Sequence, residues 1–327
     1  MNRTPDTRPL WKRVLLRRLR FFGVLAALVI VLLGGSYLFA PQWLLRAHQM
    51  RQAMAAHVQE HTLRAGDTRW SYYEGGSGPT LVLLHGFATD KTIWLPLAGQ
   101  LTAHFHVVIP DLPGWGESSR NTGESYGVQA QAQRLQAFLA ALGLQRIVLV
   151  GHSMGGAIAG VYAADHPGQV AALALLDAYG LKATPNDFER AVMAGKDPFA
   201  YDDRAGFERS LQLAFAHPPK MPGRIEDVFV ARNRADRAFL ERTLAELRKP
   251  DDYLSLQHDL GRLNMPVLGL WCREDRVIDA SALDSLRDGL AQAASISSSV
   301  LSGCNHMPMV EKPEATAQVL TGFVLGR

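Results

Sequence analysis

The sequence predicts an α/β fold, in which helices wrap a mostly parallel sheet and one membrane-spanning helix precedes it. Three observations carry this prediction. A segment without charge lies near the N-terminus, short apolar runs alternate with helix-like stretches from residue 68 onward, and about eighty residues in the second half contain helical patterns but no convincing strand. A chain of 327 residues, 47% hydrophobic and 20% charged, is typical of a protein that buries a large core.

The segment without charge, residues 21–40, reads FFGVLAALVIVLLGGSYLFA and is long enough to cross about 30 Å as a helix. A removable signal peptide is the alternative, but its apolar core usually has only about 7–15 residues. Residues 1–20 carry seven basic side chains, whereas the first stretch beyond the segment carries only Arg46 and Arg51. The positive-inside bias therefore predicts a single-pass membrane protein, with a basic cytoplasmic tail at 1–20 and the main body on the far, periplasmic or lumenal side.

The positive charge is concentrated in that tail. The net charge is +3, and residues 1–20 alone carry +6, so the rest of the chain carries −3. A body of this charge offers no basic surface of the kind that nucleic acids select, and we predict no nucleic-acid partner.

Residues 41–66 are predicted to form an amphipathic stalk. Apolar side chains recur there at helical spacing: Trp43, Ala47, Met50, Met54 and Val58. Such a helix can lie on the membrane surface or pack on the body, and the sequence leaves both arrangements open.

The alternating strands and helices predict a core formed by residues 67–180 and 264–327. Residues 181–263, which lack a convincing strand, are predicted to be a helical cap inserted in that core. The cap contributes apolar material for the roof of a cleft, although most of these side chains must also form its own core: Phe188, Phe199, Phe207, Phe215, Phe229 and Phe239.

The heptapeptide VGHSMGG, residues 150–156, follows an apolar strand-like run and precedes a helix-like stretch. It contains the pattern G-x-S-x-G, in which the serine sits on a sharp turn that exposes its hydroxyl at the end of a sheet. The pattern alone is weak because glycine and serine are common, but its setting between strand and helix is specific. Ser153 is therefore the predicted nucleophile.

A serine nucleophile needs a histidine base, which in turn needs a carboxylate, and in this architecture they follow in the order serine, acid, histidine. His306 is the only histidine beyond the cap. Asp275 is the favoured acid, because it follows the apolar run VLGLW by four residues. Glu274 is its rival, Asp177 is the outside candidate, and a neighbouring aspartate is interpreted as the cap of the next helix: Asp279.

Acyl transfer also needs hydrogen-bond donors for the developing oxyanion. The backbone N–H groups of Met154, directly after the serine, and of Phe87, in the loop LHGFATDKTIW, are the predicted donors. His85 is interpreted as ordering that loop and Asp111 as structural.

Cys272 and Cys304 are too few for a disulfide framework, and their spacing matches no zinc or thioredoxin-type motif. Two free thiols is the favoured interpretation. An exported body would permit a bridge, but the sequence does not show that the two sulfur atoms meet.

Five motifs in this order, LLHGF, DLPGWGES, GHSMGG, WCREDRVID and GCNHMPMVEKP, resemble those of the α/β-hydrolase superfamily, over about residues 73–324. The N-terminal span and the sequences around Ser153 and His306 resemble the membrane-anchored monoacylglycerol lipases of that superfamily. The resemblance implies an α/β-hydrolase fold with Ser153 as nucleophile, Asp275 as acid and His306 as base. It also implies hydrolysis of monoacylglycerols or related lipid esters, with neither a metal nor an organic cofactor. The sequence departs from the family where asparagine, in place of the usual glycine, precedes His306.

The leading hypothesis is a membrane-anchored serine esterase or lipase whose partners are a lipid or small ester substrate and the membrane. One alternative keeps the same three residues but cleaves a carbon–carbon bond in a ring-fission product, which requires cationic or polar groups for an acidic substrate. The other alternative is a non-catalytic binding protein on the same fold. Neither the oligomeric state nor the acyl length follows from the sequence.

Overall fold

The structure is a computed structural model that describes residues 9–326. Residues 1–8 of the predicted basic tail and the last residue lie outside this part. One sheet of eight strands runs through the described chain: β1 Val58–Ala65, β2 Thr68–Gly75, β3 Thr80–Leu84, β4 His106–Pro110, β5 Ile147–His152, β6 Val170–Leu176, β7 Val267–Cys272 and β8 Ile296–Leu301.

The described residues also form thirteen α-helices: α1 Leu10–Phe39, α2 Pro41–Ala55, α3 Leu95–Leu101, α4 Val128–Ala141, α5 Met154–Asp165, α6 Asp187–Met193, α7 Arg204–Ala214, α8 Gly223–Leu247, α9 Pro250–Tyr253, α10 Ser255–Asp259, α11 Ala282–Gly289, α12 Pro308–Glu311 and α13 Pro313–Leu325. Short 3₁₀ helices lie at Lys91–Trp94 and Leu260–Arg262.

The strand order across the sheet is β1-β2-β4-β3-β5-β6-β7-β8. The pairs β1–β2 and β2–β4 are antiparallel, and all other neighbours are parallel. Every residue of β5 and of β7 is buried, because helices cover both faces of a parallel sheet. This sheet confirms the predicted fold class.

Each face of the sheet has its own apolar layer. On one face Leu135 of α4 packs in the same cluster as Ile158 of α5. On the other face Leu97 of α3 packs in a cluster with Leu320 of α13. The carboxyl ends of the parallel strands meet at one edge between these layers, which is where loops in such sheets carry functional groups.

The expectation that the first strand begins at Thr68 is wrong. The stalk was predicted over residues 41–66, but only its first part is helical. Its second part forms β1 instead of continuing the helix through Val58. Only the two end residues of this edge strand are buried, so its sequence VQEHTLRA shows no apolar alternation that could reveal it. A tight turn with Gly66 at a φ of 62° places Ala65 opposite Thr68 and sets the register of the hairpin.

Helix α1 is long and apolar enough to cross a membrane, and none of its residues is buried against the rest of the protein. It contains the predicted span, residues 21–40, except for the last residue. Its first eleven residues, 10–20, belong to the predicted basic tail and include five cations: Lys12, Arg13, Arg17, Arg18 and Arg20. The described part of the tail therefore continues the apolar helix without a break.

Helix α2 packs against the body. Ala53 is buried, and the guanidinium of Arg46 lies 3.1 Å from a carboxylate oxygen of Glu117 and also pairs with Glu60. The side of α2 that remains exposed carries large apolar side chains: Trp43, Met50 and Met54. Of the two arrangements that the sequence left open, packing on the body is the one observed, with an apolar side turned outward.

Between β6 and β7 the described chain forms helices α6 to α10 and no strand. Phe207 of α7 stacks on Phe229 of α8, with ring centroids 5.4 Å apart. These helices lie over the carboxyl edge of the sheet and, with the loops of the core, enclose a cavity there.

Candidate active site

Ser153 lies in the turn between β5 and α5. Its φ of 53° and ψ of −122° are unusual for a residue with a side chain, and such strain is typical of functional turns. A Cβ atom at Gly151 would lie 2.3 Å from the carbonyl oxygen of Gly155, and one at Gly155 would lie 2.5 Å from that of Leu84. The two glycines thus allow β5, α5 and β3 to approach closely enough to make the turn.

His306 and Asp275 come from the loops that follow neighbouring strands, β8 and β7. Nδ1 of His306 lies 2.9 Å from Oδ2 of Asp275, and both side chains are buried. The other carboxylate oxygen accepts hydrogen bonds from the N–H groups of Val277, at 2.7 Å, and Ile278, at 3.0 Å. A neutral His306 therefore carries its proton on Nδ1 and leaves Nε2 free to accept a proton from substrate or serine.

The rival acid, Glu274, points elsewhere. Its side chain is exposed, and Oε2 accepts a hydrogen bond from the N–H of Gly303 at 3.0 Å. Asp279 accepts from the N–H of Ser281 at 2.9 Å, at the start of α11. Neither carboxylate is the partner of His306.

Asp177, the outside candidate, lies close to the pair but is bonded differently. It is fully buried and accepts a hydrogen bond from the N–H of Cys272 at 2.8 Å. Burial, and then the charge of Asp275, raise the pKa of Asp177 well above its ordinary value. Asp177, Asp275 and His306 each have a ligand-type atom within 4.8 Å of the others, but a carboxyl group whose pKa is raised and a histidine already bonded to Asp275 fit an acid–base pair better than a metal site.

Ser153 and His306 line the same cavity. In residues 9–326 the serine hydroxyl makes no hydrogen bond with His306, a contact that often tightens only when substrate binds. The N–H groups of Phe87 and Met154, which line this cavity too, donate to no other described residue. Met154 is the first residue of α5, where N–H groups lack an acceptor within the helix. Four of the five predicted residues thus line one cavity, and the fifth, Asp275, reaches it through its hydrogen bond to His306.

The loop that carries Phe87 is held by His85. Nδ1 of this buried histidine donates to the carbonyl oxygen of Gly86 at 2.9 Å, and Nε2 accepts from the N–H of Leu112 at 3.0 Å. Burial lowers the pKa of His85 to about 4, so the ring is neutral. These contacts agree with the interpretation that His85 orders the loop.

Asp111 is likewise part of the framework. Its carboxylate lies 2.6 Å from Nζ of the buried Lys91 and accepts a hydrogen bond from the N–H of Glu117 at 2.8 Å. The ion pair joins the Phe87 loop to the loop of the DLPGWGES motif. Its contacts are structural, as interpreted from the sequence.

The favoured interpretation of two free thiols is wrong. Cys272 and Cys304 form a disulfide, with Cα atoms 5.3 Å apart. Parallel pairing of β7 with β8 puts Cys272 opposite Leu301, and the turn that follows brings Cys304 back to it. The bond ties the loop that carries Asp275 to the loop that carries His306. Only the pairing of these two strands, which the sequence did not specify, brings the sulfur atoms together.

Sequence reasoning also missed the role of Asn305, the residue that departs from the family pattern. It is fully buried. Its side-chain oxygen accepts from the N–H of Arg276 at 2.8 Å, and its side-chain nitrogen donates to the carbonyl oxygen of Leu213 at 2.8 Å. Asn305 thus links the acid loop, the histidine loop and the end of α7. The signal was present in the sequence as an amide directly before the predicted base.

The cavity around Ser153 has a volume of about 210 Å³. Five of the six predicted cap phenylalanines line it: Phe188, Phe199, Phe207, Phe215 and Phe229. The sixth, Phe239, packs on Trp115 with ring centroids 4.8 Å apart and belongs to the core. None of the described residues that line this apolar cavity is Lys or Arg.

The chain belongs to the α/β-hydrolase family, whose model, described as an α/β hydrolase fold, matches residues 79–313. Monoacylglycerol lipase ABHD6 of Bos taurus is 28% identical over 315 residues, which cover 92% of this chain and 93% of that protein. Lipase 1 of Psychrobacter immobilis is 31% identical over 271 residues, covering 81% of this chain and 83% of that protein.

A crystal structure of a membrane phospholipase A, described as a bacterial virulence factor, is also similar. It matches with a TM-score of 0.84 and 36% sequence identity, covering 94% of this chain and 98% of that one. Together these findings confirm the predicted α/β-hydrolase fold and the predicted resemblance to monoacylglycerol lipases.

Proposed function

We propose that this protein is a membrane-anchored serine hydrolase that cleaves monoacylglycerols or related lipid esters through an acyl-enzyme on Ser153. The enzyme class, carboxylic ester hydrolase, is supported by relatives that are monoacylglycerol lipases and lipases. The observation that carries the proposal is the convergence of Ser153 and the bonded pair His306–Asp275 on one apolar cavity.

In the proposed mechanism the hydroxyl of Ser153 attacks the ester carbonyl and transfers its proton to Nε2 of His306. Asp275 stabilises the resulting imidazolium, and the N–H groups of Phe87 and Met154 bind the oxyanion. The tetrahedral intermediate collapses, and His306 gives its proton to the departing alcohol. Water then attacks the acyl-enzyme with His306 as base, which releases the fatty acid and restores the serine.

The acyl chain occupies the apolar cavity in this proposal. Aromatic rings from α6, α7 and α8 surround a space whose apolar lining suits an alkyl chain better than a charged group. This favours ester hydrolysis over the carbon–carbon alternative, because an acidic ring-fission product needs cationic groups that the described lining does not offer. Open oxyanion donors beside a strained serine argue against a purely binding role.

We further propose that α1 anchors the protein in a membrane with the N-terminus in the cytoplasm. The exposed apolar surface of α1, the basic residues at its start and the apolar side of α2 support anchoring. A disulfide near the site supports a body in an oxidising compartment. Protease added outside spheroplasts should degrade the body while leaving the N-terminal tail protected.

The deciding experiment compares the detergent-solubilised protein with its Ser153→Ala variant on a series of monoacylglycerols of increasing acyl length. We expect the wild type to hydrolyse the series and to react with a fluorophosphonate probe, and the variant to do neither. Ser298→Ala, which removes an exposed hydroxyl on β8, is the matched control and should keep both properties. Equal inactivity of all three proteins on every ester would refute the proposal.

A further inference from the structure

A second cavity adjoins the apolar one and is lined differently. Its volume is about 440 Å³, and it lies between α2, the loop after Phe87, the DLPGWGES loop and α8. We call this space the polar vestibule. It shares five lining residues with the apolar cavity: Ala88, Thr89, Tyr201, Phe229 and Asn233. The two spaces therefore meet beside the loop that carries the Phe87 N–H group.

In this arrangement the two parts of an ester substrate occupy different spaces. With the carbonyl group at Ser153 and the alkyl chain among the cap phenylalanines, the alcohol part of the ester extends into the polar vestibule. The vestibule thus lies where the head group of a lipid ester leaves after cleavage.

The charges that line the vestibule are balanced. Four cations face four anions among the described lining residues: Arg46, Lys91, Arg120 and Arg232, with Asp90, Asp111, Glu117 and Asp236. Three of the cations are already paired with carboxylates that line the same space. Nζ of Lys91 lies 2.6 Å from Asp111, Arg46 lies 3.1 Å from Glu117, and Arg120 lies 2.6 Å from Asp236.

A phosphate head group gains little in such a space. To bind it, Arg46 or Arg120 would have to leave a carboxylate, whereas Arg232, the fourth cation, is exposed and makes no ion pair among the described residues. At any of these cations the phosphate would share the space with the four carboxylates of the lining, which repel it. Alternating donors and acceptors suit hydroxyl groups instead, because a hydroxyl both donates and accepts. An uncharged polyol is therefore the chemistry that fits the lining.

We infer that the polar vestibule is the head-group site of this enzyme and that it selects an uncharged glycerol over a phosphorylated one. The inference rests on the proposed function, since it assigns the alcohol half of the same ester. It names the residues that separate monoacylglycerols from lysophospholipids as substrates, chiefly the pair Arg120–Asp236.

The test uses two substrates that differ only by the phosphate group: 1-octanoylglycerol and 1-octanoylglycerol 3-phosphate, both below their micellar concentrations. The full-length wild type should show a kcat/KM about tenfold or more in favour of the uncharged ester. Asp236→Asn frees the charge of Arg120, so kcat/KM for the phosphate ester should rise about fivefold and the preference should narrow. Arg120→Gln leaves the negative charge of Asp236 unpaired, so the preference for the uncharged ester should increase.

Asp165→Asn is the matched control. It removes the same charge from an ion pair of equal length, Arg262–Asp165 at 2.6 Å, that lines neither cavity. We expect its preference to equal that of the wild type, and thermal unfolding checks that each variant is folded.

Two results would overturn the inference, and they differ from each other. The head-group site would be refuted, but not the serine hydrolase, by an active enzyme with equal kcat/KM for both esters. The same holds if the preference of the variants changes no more than that of Asp165→Asn. Inactivity of the wild type on every ester, together with failure to label Ser153, removes the proposed function and the head-group site with it.

Discussion

Nε2 of His152 lies 2.7 Å from the backbone carbonyl oxygen of His306. The residue directly before the proposed nucleophile therefore donates a hydrogen bond to the backbone of the proposed base. Burial, and then the neighbouring His306, lower the pKa of His152 well below its ordinary value, so this ring is neutral and its proton is on Nε2. The contact fixes the distance between the serine turn and the histidine loop.

Replacing His152 by Ala should disturb that distance. The variant leaves the His306 carbonyl group buried without this donor, which costs about 1–3 kcal/mol of unfolding free energy. It should also lower kcat/KM by at least tenfold, because small displacements of reacting groups are costly. Urea unfolding and ester hydrolysis measure the two effects, with the exposed His104→Ala as control. Full activity in the His152 variant would contradict the positioning role.

Asn305→Ala should lower kcat/KM roughly tenfold and the unfolding free energy by about 1–3 kcal/mol. The substitution removes both side-chain hydrogen bonds and so frees the acid loop and the end of α7 from the histidine loop. Asn121→Ala, in a surface loop that does not line the apolar cavity, should affect kcat/KM little. If the two variants behave alike in the hydrolysis assay, Asn305 has no special role in positioning.

Removing the disulfide with Cys272→Ser and Cys304→Ser should destabilise the protein by about 3–4 kcal/mol, as the loss of a crosslink over a separation of 32 residues predicts. Both sulfur atoms are buried, so mild reductant should reach the bond only after partial unfolding. We expect the double variant to unfold at lower urea concentration whether or not reductant is present. A wild type that loses no stability on full reduction would contradict this.

The neutral, buried His85 makes stability depend on pH. In the folded protein the pKa of His85 is lowered to about 4, whereas in the unfolded chain this histidine binds a proton below about pH 6.5. Between these two pH values the unfolded state therefore binds a proton that the folded state does not. The contribution of His85 is complete above about pH 6.5 and is lost as the pH falls towards about 4, at about 1.4 kcal/mol per unit. Asp90 and Lys91 face the ring, and Asp177, whose pKa is raised, contributes with the opposite sign.

The His85 contribution is isolated by comparing the wild type with His85→Gln. Because the other groups titrate in both proteins, the difference in unfolding free energy should shrink as the pH falls from 6.5 to 4. His104→Gln, an exposed histidine, should give a constant difference over the same range. A difference for His85→Gln that stays constant would show that His85 binds protons equally in both states.

The parts of the molecule that the sequence predicted well are those that periodicity and close packing dictate. The apolar runs of β5 and β7 are buried on both faces, and the glycines around Ser153 are required by backbone contacts within a few residues of the turn. Such signals are local, so they survive in a single sequence. At the site, the expected chain order of serine, acid and histidine pointed to Ser153, Asp275 and His306. The structure pairs Asp275 with His306 and places His306 and Ser153 on one cavity.

The parts that the sequence did not predict depend on neighbours distant in the chain. β1 is a polar edge strand that exists because β2 offers it a partner. The disulfide forms because β7 and β8 lie side by side, and Asn305 acquires its role only when α7 ends above the histidine loop. These contacts follow from tertiary structure, which no spacing of residues encodes locally.

The short distance from α1 to the polar vestibule has a consequence for the supply of substrate. Arg46, which lines the vestibule, follows the end of α1 by seven residues, roughly 10 Å along a helix axis. In an anchored chain the mouth of the vestibule would therefore lie about level with the lipid head groups. A lipid ester would only have to rise out of the bilayer, without diffusing through water. The enzyme would then draw on one leaflet alone, and its rate would follow the surface density of substrate there.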